Sequence, residues 1–182
     1  MGALASALSR LLGDVVTFKF MAHGAHWDVE GPNFPQYHAL FGAIYDDADE
    51  SVDPIAENIR KIGAVPPSSL ADFVAVRSLD DYPATTDAIA LLSHVADAND
   101  ALLRVFAVAF DAATAANEQG IANFIAERLD AHEKWRWQLR ATLGQPAVTA
   151  PATPQAAPVT APAYRTRVAD AVRQSVDNTF NS

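Results

Sequence analysis

Five histidines, His23, His26, His38, His94 and His132, and a run of acids from Asp46 to Glu57 are the residues of this 182-residue sequence best suited to chemistry. There is no cysteine, which excludes disulfides, thiolate metal sites and cysteine nucleophiles. What remains is imidazole and carboxylate. Neutral imidazole is the commonest nitrogen ligand for iron or zinc. His94 and His132 stand alone among helical residues, and a lone histidine on a helix is more often a packing or surface residue than a ligand. His26 and His38 differ. The turn Glu30–Asn33 lies between them, so a chain folded back on itself there brings the two imidazoles together. The acids Asp46, Asp47, Asp49, Glu50, Asp53 and Glu57 follow. Positions 46, 50, 53 and 57 form one stripe at helical spacing. The plainer reading of such a stripe is a solvated acidic face. Asp53 and Glu57, however, sit among Val52, Pro54, Ile55 and Ala56, and two carboxylates one turn apart can share one cation.

Distance then constrains the set. From His38 to Asp53 a straight helix rises roughly 22 Å, so one metal cannot touch both within a single chain. If all four residues serve one site, Asp53 and Glu57 come from a second copy whose helix runs antiparallel. A two-fold dimer would build such a site twice.

The elements that must hold these residues read as helices. Helix A is expected from about Ala3 to Val29, with Leu4, Leu8, Leu11, Leu12, Val15, Phe18 and Ala22 on its apolar face. Glu30-Gly31-Pro32 ends it. Asn33 is the expected N-cap of helix B, with Pro35 in the first turn. Helix B runs to about Ile62, with Phe34, Leu40, Phe41, Ile44, Ile55 and Ile59 as its core face. Pro54 predicts a kink or break near Ser51–Asp53. Val65-Pro66-Pro67 opens a connection, and Ser69–Val76 suggests a short crossover helix. Helix C is expected from near Thr85 to about Ala116, and helix D from near Gly120 to Gly144. Two long helices, a long connection carrying a small one, then two more long helices suggest an all-α, ferritin-like four-helix bundle with one crossover.

The run His26-Trp27-Asp28-Val29-Glu30-Gly31-Pro32-Asn33-Phe34, with His38, Phe41, Tyr45, Asp53, Ala56-Glu57-Asn58-Ile59-Arg60 and Gly63, resembles the signature of the Dps family of mini-ferritins. Glu133-Lys134, Trp137 and Leu139-Arg140-Ala141 are similar to its last helix. The resemblance covers about residues 4–144. It implies a hollow dodecameric cage built from two-fold dimers. Each two-fold interface would hold a pair of ferroxidase sites that oxidise Fe(II) with hydrogen peroxide or oxygen, and ferric mineral would be stored inside. Carried over by position, His26 would bind the primary iron with Asp53 and Glu57 of a second copy, and His38 would help hold a second iron. Trp27 lies where the family often keeps an aromatic near the iron to absorb stray oxidising equivalents; its plainer reading is a packing residue.

The sequence also departs from the family. The family usually places a carboxylate one turn after the second histidine, where this chain has Gly42. Asp46, a further turn along, is the alternative ligand, so the site is expected to be di-iron or mono-iron. Asn123 stands at the usual acidic channel position, with Glu118 and Glu127 as the nearby acids. The resemblance does not take in the lysine-rich N-terminal extension through which many members bind DNA, so DNA binding is expected to be weak. The alternative function is therefore a ferritin-like cage with impaired oxidation, acting as a metal-binding or DNA-associated structural protein. A larger classical ferritin is disfavoured, because its Glu-x-x-His ligand motif is missing.

Composition fits these expectations. A formal net charge of −9 suits cation uptake and opposes non-specific nucleic-acid binding, although moderate acidity also serves plain solubility. No apolar stretch reaches the roughly 18–20 residues that span a bilayer, and no membrane partner is expected. The N-terminus reads as the first turns of a helix and not as a signal peptide, which makes the cytoplasm, with nucleoid association as a variant, the expected location. The bundle is expected over residues 1–144. A Pro/Ala-rich linker follows at 145–163 and a short amphipathic segment at 164–182, with Val168, Ala171, Val172 and Val176 on one face. The linker has no charge and cannot pack, so a chain ending at Gly144 should keep its helical circular dichroism and its assembly state. Dissociation of that truncated chain, read by size-exclusion chromatography, would make the tail an assembly element instead.

Overall fold

The computed structural model of the chain describes residues 2–145. It contains five helices: α1 (Gly2–Asp28), α2 (Phe34–Lys61), α3 (Leu70–Val76), α4 (Ala88–Ala115) and α5 (Gln119–Thr142). The all-α bundle with a crossover helix is therefore observed. The rest of the linker and the amphipathic segment lie outside the described residues. None of the described helices is long and apolar enough to cross a membrane.

The long helices form two antiparallel hairpins, α1–α2 and α4–α5, packed with α1 on α4 and α2 on α5. Both α2 and α4 run opposite to α1, so the connection from Lys61 to Ala88 must climb the whole bundle. It does so along α1. Ser78 and Leu79 bind Asp14, Tyr82 donates its hydroxyl to the Met21 carbonyl at 2.9 Å, and the Glu30 amide meets the Thr86 carbonyl at 3.2 Å. With α2, α3 and α4 all resting on it, α1 is buried without interruption from Leu11 to Phe18. Every apolar residue expected on its core face is buried.

Two details show how tightly the crossover is seated. A Cβ at Gly13 would lie 2.7 Å from Val76 Cγ2 and 3.1 Å from the Phe73 carbonyl, so α3 rests directly on the α1 backbone there. One residue on, Asp14 is fully buried and accepts from the Ser78 amide at 2.6 Å, the Ser78 hydroxyl at 2.8 Å and the Leu79 amide at 2.8 Å. Three donors satisfy a carboxylate that would otherwise be costly to bury.

Several local expectations are corrected. Asn33 does not cap α2 through its side chain; its backbone is left-handed, with φ 67°, and carries the turn itself. Phe34 is not core but exposed, and it stacks on His38. Pro54 does not break α2, which is continuous from Phe34 to Lys61. Proline removes one N–H, and packing of Ser51, Ile55, Asn58 and Ile59 into the bundle holds the helix together across it. Helix α4 begins at Ala88 rather than near Thr85, because Asp87 caps it by accepting from the Ala90 amide at 2.7 Å.

The bundle interior is polar at one level. Asp47 of α2 accepts from Arg128 at 2.5 Å and from the Trp135 indole at 2.8 Å, both on α5. Burial alone would raise the Asp47 carboxyl, but these two donors outweigh it and hold the group below its ordinary 3.8. Beside them His132 is fully buried, confirming it as a packing histidine, with Phe18 and Phe106 as ring neighbours. Its Nδ1–H donates to the Asn99 side-chain oxygen at 2.7 Å, and the Asn99 amide donates back to the His132 carbonyl at 3.0 Å. Its Nε2 has no partner among the described residues. Burial, with the Arg128 charge adding to it, pushes this imidazole from 6.5 down to about 4.

That depression has a definite sign. The unfolded chain takes up the His132 proton near pH 6.5 and the folded chain only near 4. Stability should therefore fall as pH drops through this window, by about 3 kcal/mol in all, and this contribution should be absent above it. Denaturant unfolding at fixed protein concentration across pH 7 to 4 should show that slope in the wild type and lose most of it in His132→Gln. An equal slope in both would assign the acid sensitivity elsewhere.

Candidate metal centre

The α1–α2 hairpin places His26, in the last turn of α1, against His38, in the second turn of α2. Their rings stack with centroids 3.6 Å apart and planes 21° from parallel. Each ring also binds the other residue's main chain: His26 Nδ1 donates to the His38 carbonyl at 2.7 Å, and His38 Nδ1 donates to the His26 carbonyl at 2.7 Å. A carbonyl can only accept, so both Nδ1 atoms carry hydrogen. The tautomer of the neutral rings is thereby fixed, and both Nε2 atoms keep a lone pair. This is the arrangement by which metal-binding histidines are oriented.

The sequence makes this exchange available. In a longer α1 the Glu30 amide would bond the His26 carbonyl. Glu30 instead turns to Thr86, which leaves that carbonyl free for the His38 ring. Across the hairpin, the His26 ring lies over Gly42. A Cβ built there would stand 3.4 Å from His26 Nδ1 and 3.5 Å from Cε1, an ordinary contact. No carboxylate occupies this position.

The acids of α2 divide into two sets. Asp47 is bound inside the bundle, and Asp49 pairs with Lys19 of α1 at 2.6 Å. Asp46, Glu50, Asp53 and Glu57 are exposed and form no ion pair among the described residues. Within one chain no group of three or more His, Asp or Glu side chains comes close enough to hold a metal ion, among the described residues. His26 and His38 are brought together; Asp53, Glu57 and Asp46 are not brought to them. Asn123 and Glu127 are exposed near the start of α5.

One neighbour was not singled out from sequence. His23 sits one turn before His26 and stacks on Tyr45 of α2, with centroids 4.1 Å apart, and it lies 4.1 Å from the ring of Trp27. Tyr45 also meets the His26 ring edge-on at 5.3 Å. The three- and four-residue spacings from His23 to His26 and Trp27 were the available signal. His94 lies apart, stacked on Tyr82 at 5.0 Å.

A family model described as a ferritin-like domain matches residues 5–147. An uncharacterised low-temperature-induced protein of Nostoc sp. is 31% identical over 140 residues, covering 74% of this chain and 78% of that protein. A DNA protection during starvation protein of Brevibacillus brevis is 29% identical over 140 residues, covering 77% of this chain and 94% of the relative. Among solved structures, a Dps protein from Bacillus brevis aligns with a TM-score of 0.74 at 29% identity, covering 77% of this chain and 94% of that one. The Dps protein of Vibrio cholerae O1, described as a member of a broad superfamily of ferritin-like diiron-carboxylate proteins, gives 0.74 at 26% identity, covering 77% and 88%. A bundle with this crossover, a histidine pair at the turn of its first hairpin and these relatives place the chain in one family: it belongs to the Dps mini-ferritins of the ferritin-like class.

Proposed function

We propose that this chain oxidises Fe(II) at a site shared between two copies and stores the ferric product inside a hollow homo-oligomer, protecting against oxidative damage. The observation that carries the reading is the reciprocal His26–His38 pair, whose hydrogen bonds leave two adjacent imidazoles each with a free Nε2 lone pair. Iron is the substrate and cargo. His26 would bind the primary Fe(II) together with Asp53 and Glu57 of a second copy, and His38 would help hold a second iron. The exposure of Asp53 and Glu57 supports this, since unpaired carboxylates on an outward helix face are free to meet another chain. So does exposed apolar surface on the same chain: Phe20 and Trp27 of α1, with Leu70 and Val74 of α3, are exposed although large and hydrophobic. A two-fold partner would cover them. The assembly expected is a dodecamer of such dimers, in the cytoplasm, with hydrogen peroxide or oxygen as oxidant and only weak affinity for DNA.

A second reading is favoured by Gly42. It faces His26 without offering a ligand, so the cage would bind iron but oxidise it slowly, in a metal-binding or DNA-associated structural role.

Two measurements test these readings. Co-assembly of a His26→Ala chain with a Glu57→Ala chain should restore a fraction of intact sites, and Fe(II) oxidation should rise well above that of either variant alone. Recovery of no activity would sink the shared site. Gly42→Asp is sterically allowed, because a side chain there begins at ordinary contact distance from His26. It also removes a mid-helix glycine, which costs about 0.5–1 kcal/mol relative to alanine. Anaerobic Fe(II) titration of this variant should show tighter binding of a second iron and faster oxidation than wild type. If wild type already binds two irons tightly and the variant changes neither count nor rate, another residue supplies the ligand, with Asp46 first.

A further inference from the structure

Most arginines of the described residues have a partner. Arg77, Arg128, Arg136 and Arg140 pair with acids, and Arg60 donates to the Ala64 carbonyl at 3.0 Å. Arg10 of α1 and Arg104 of α4 differ. Neither side chain has an ion pair or a hydrogen bond among the described residues, and both line the same cleft. Each has an acid four residues away on its own helix, at the spacing where such charges commonly pair. Asp14, one turn after Arg10, is instead sealed in the core by Ser78 and Leu79. Asp100, one turn before Arg104, is taken by Arg136 and Arg140. The nearest partners of both guanidinium groups are thus engaged elsewhere.

The cleft has a volume of about 560 Å³, in the range of small-molecule sites. It lies between α1, α4 and the crossover. Ser78 and Leu79, whose amides bind Asp14, line it, so it is built on the anchor of the crossover. Its other walls are aliphatic, with Ala7 from α1 and Ala101, Val105 and Val108 from α4. No carboxylate and no aromatic ring lines it. The iron site plays no part: His26 lies sixteen residues beyond Arg10, about 24 Å along a straight helix.

We infer that this cleft binds a small aliphatic anion, with its carboxylate between Arg10 and Arg104 and its hydrocarbon body on Leu79, Val105 and Val108. The guanidinium fork matches a carboxylate, which takes two parallel N–H donors. The aliphatic walls gain from covering a hydrocarbon chain. A nucleic acid fits less well. There is no ring on which a base could stack, and two cations make a small phosphate footprint on a chain of net charge −9. A ligand seated here touches α1, α4 and the crossover at once, so its binding should also stabilise the bundle.

The test is isothermal titration of octanoate into the assembled full-length protein. Octanoate should bind saturably, one per chain, and raise the melting temperature. Acetate has the head without the body and octan-1-ol the body without the head; each should bind about tenfold more weakly or worse. Arg10→Gln and Arg104→Gln change side chains outside the core and should each weaken octanoate about tenfold. Val108→Asp, which places a negative charge on the cleft wall, should weaken it as well, and Arg60→Gln should leave it unchanged. Absence of saturable octanoate binding by wild type overturns this inference. So does octan-1-ol binding as tightly as octanoate, or full affinity in the Arg10→Gln/Arg104→Gln double variant. Failure of wild type to bind octanoate, together with disassembly of the double variant on size-exclusion chromatography, would assign the two arginines to contact with a second copy instead.

Discussion

His26 and His38 hold each other by hydrogen bonds that run in opposite directions, and the register of α1 on α2 is tied to that exchange. With it in place, His23 faces Tyr45 and Lys19 faces Asp49, successive contacts down the same hairpin. A shift of one residue along either helix would break both hydrogen bonds together. It would also remove the carbonyl acceptors that keep the proton on Nδ1 and leave Nε2 open. The pair thus fixes the geometry of the hairpin and the chemistry of its rings at once. It depends in turn on Glu30 leaving the helical path toward Thr86, so the entrance to α4 helps define the histidine pair.

The acids of α2 follow the faces of that helix. The inward carboxylate, Asp47, is neutralised by Arg128 and the Trp135 indole, which joins the first hairpin to the second. Asp100 does the same between α4 and α5: burial would raise it, but Arg136 and Arg140 hold it ionised. Of the outward carboxylates, Asp49 pairs with Lys19, and Asp46, Glu50, Asp53 and Glu57 form no ion pair among the described residues. A helix whose charged residues were all paired internally would have nothing to offer a second chain, and one with none paired would hold the hairpins together less well.

How much of this was legible in the sequence depends on the range of each interaction. The four long helices, their apolar faces and the short crossover helix follow from periodicity and turn residues, which act over a few positions. The nearness of His26 and His38 was readable because a short turn links them. Errors arose where tertiary contact overrode a local rule. Phe34 looked like core by spacing, but it begins α2 outside the bundle core, where it stacks on His38 and stays partly exposed. Pro54 looked like a break, but packing on both sides keeps α2 whole. Asp14 gave no signal at all, because its partners Ser78 and Leu79 are far away in sequence. The position of Asp53 and Glu57 relative to the histidines is a matter between copies, which spacing within one chain can bound but not resolve.

The uninterrupted burial of α1 has a consequence for synthesis. Residues Leu11 to Phe18 are covered on different sides by α2, α3 and α4, so no single neighbour shelters them. A ribosome makes α1 first and α4 much later. During that interval the helix with the longest unbroken buried run stands beside the growing chain with only α2 to lean on, and α3 cannot seat on Gly13 until the crossover has emerged. The segment most dependent on the finished bundle is thus the one that waits longest for it, and the nascent chain is most open to aggregation or chaperone capture before α4 is complete.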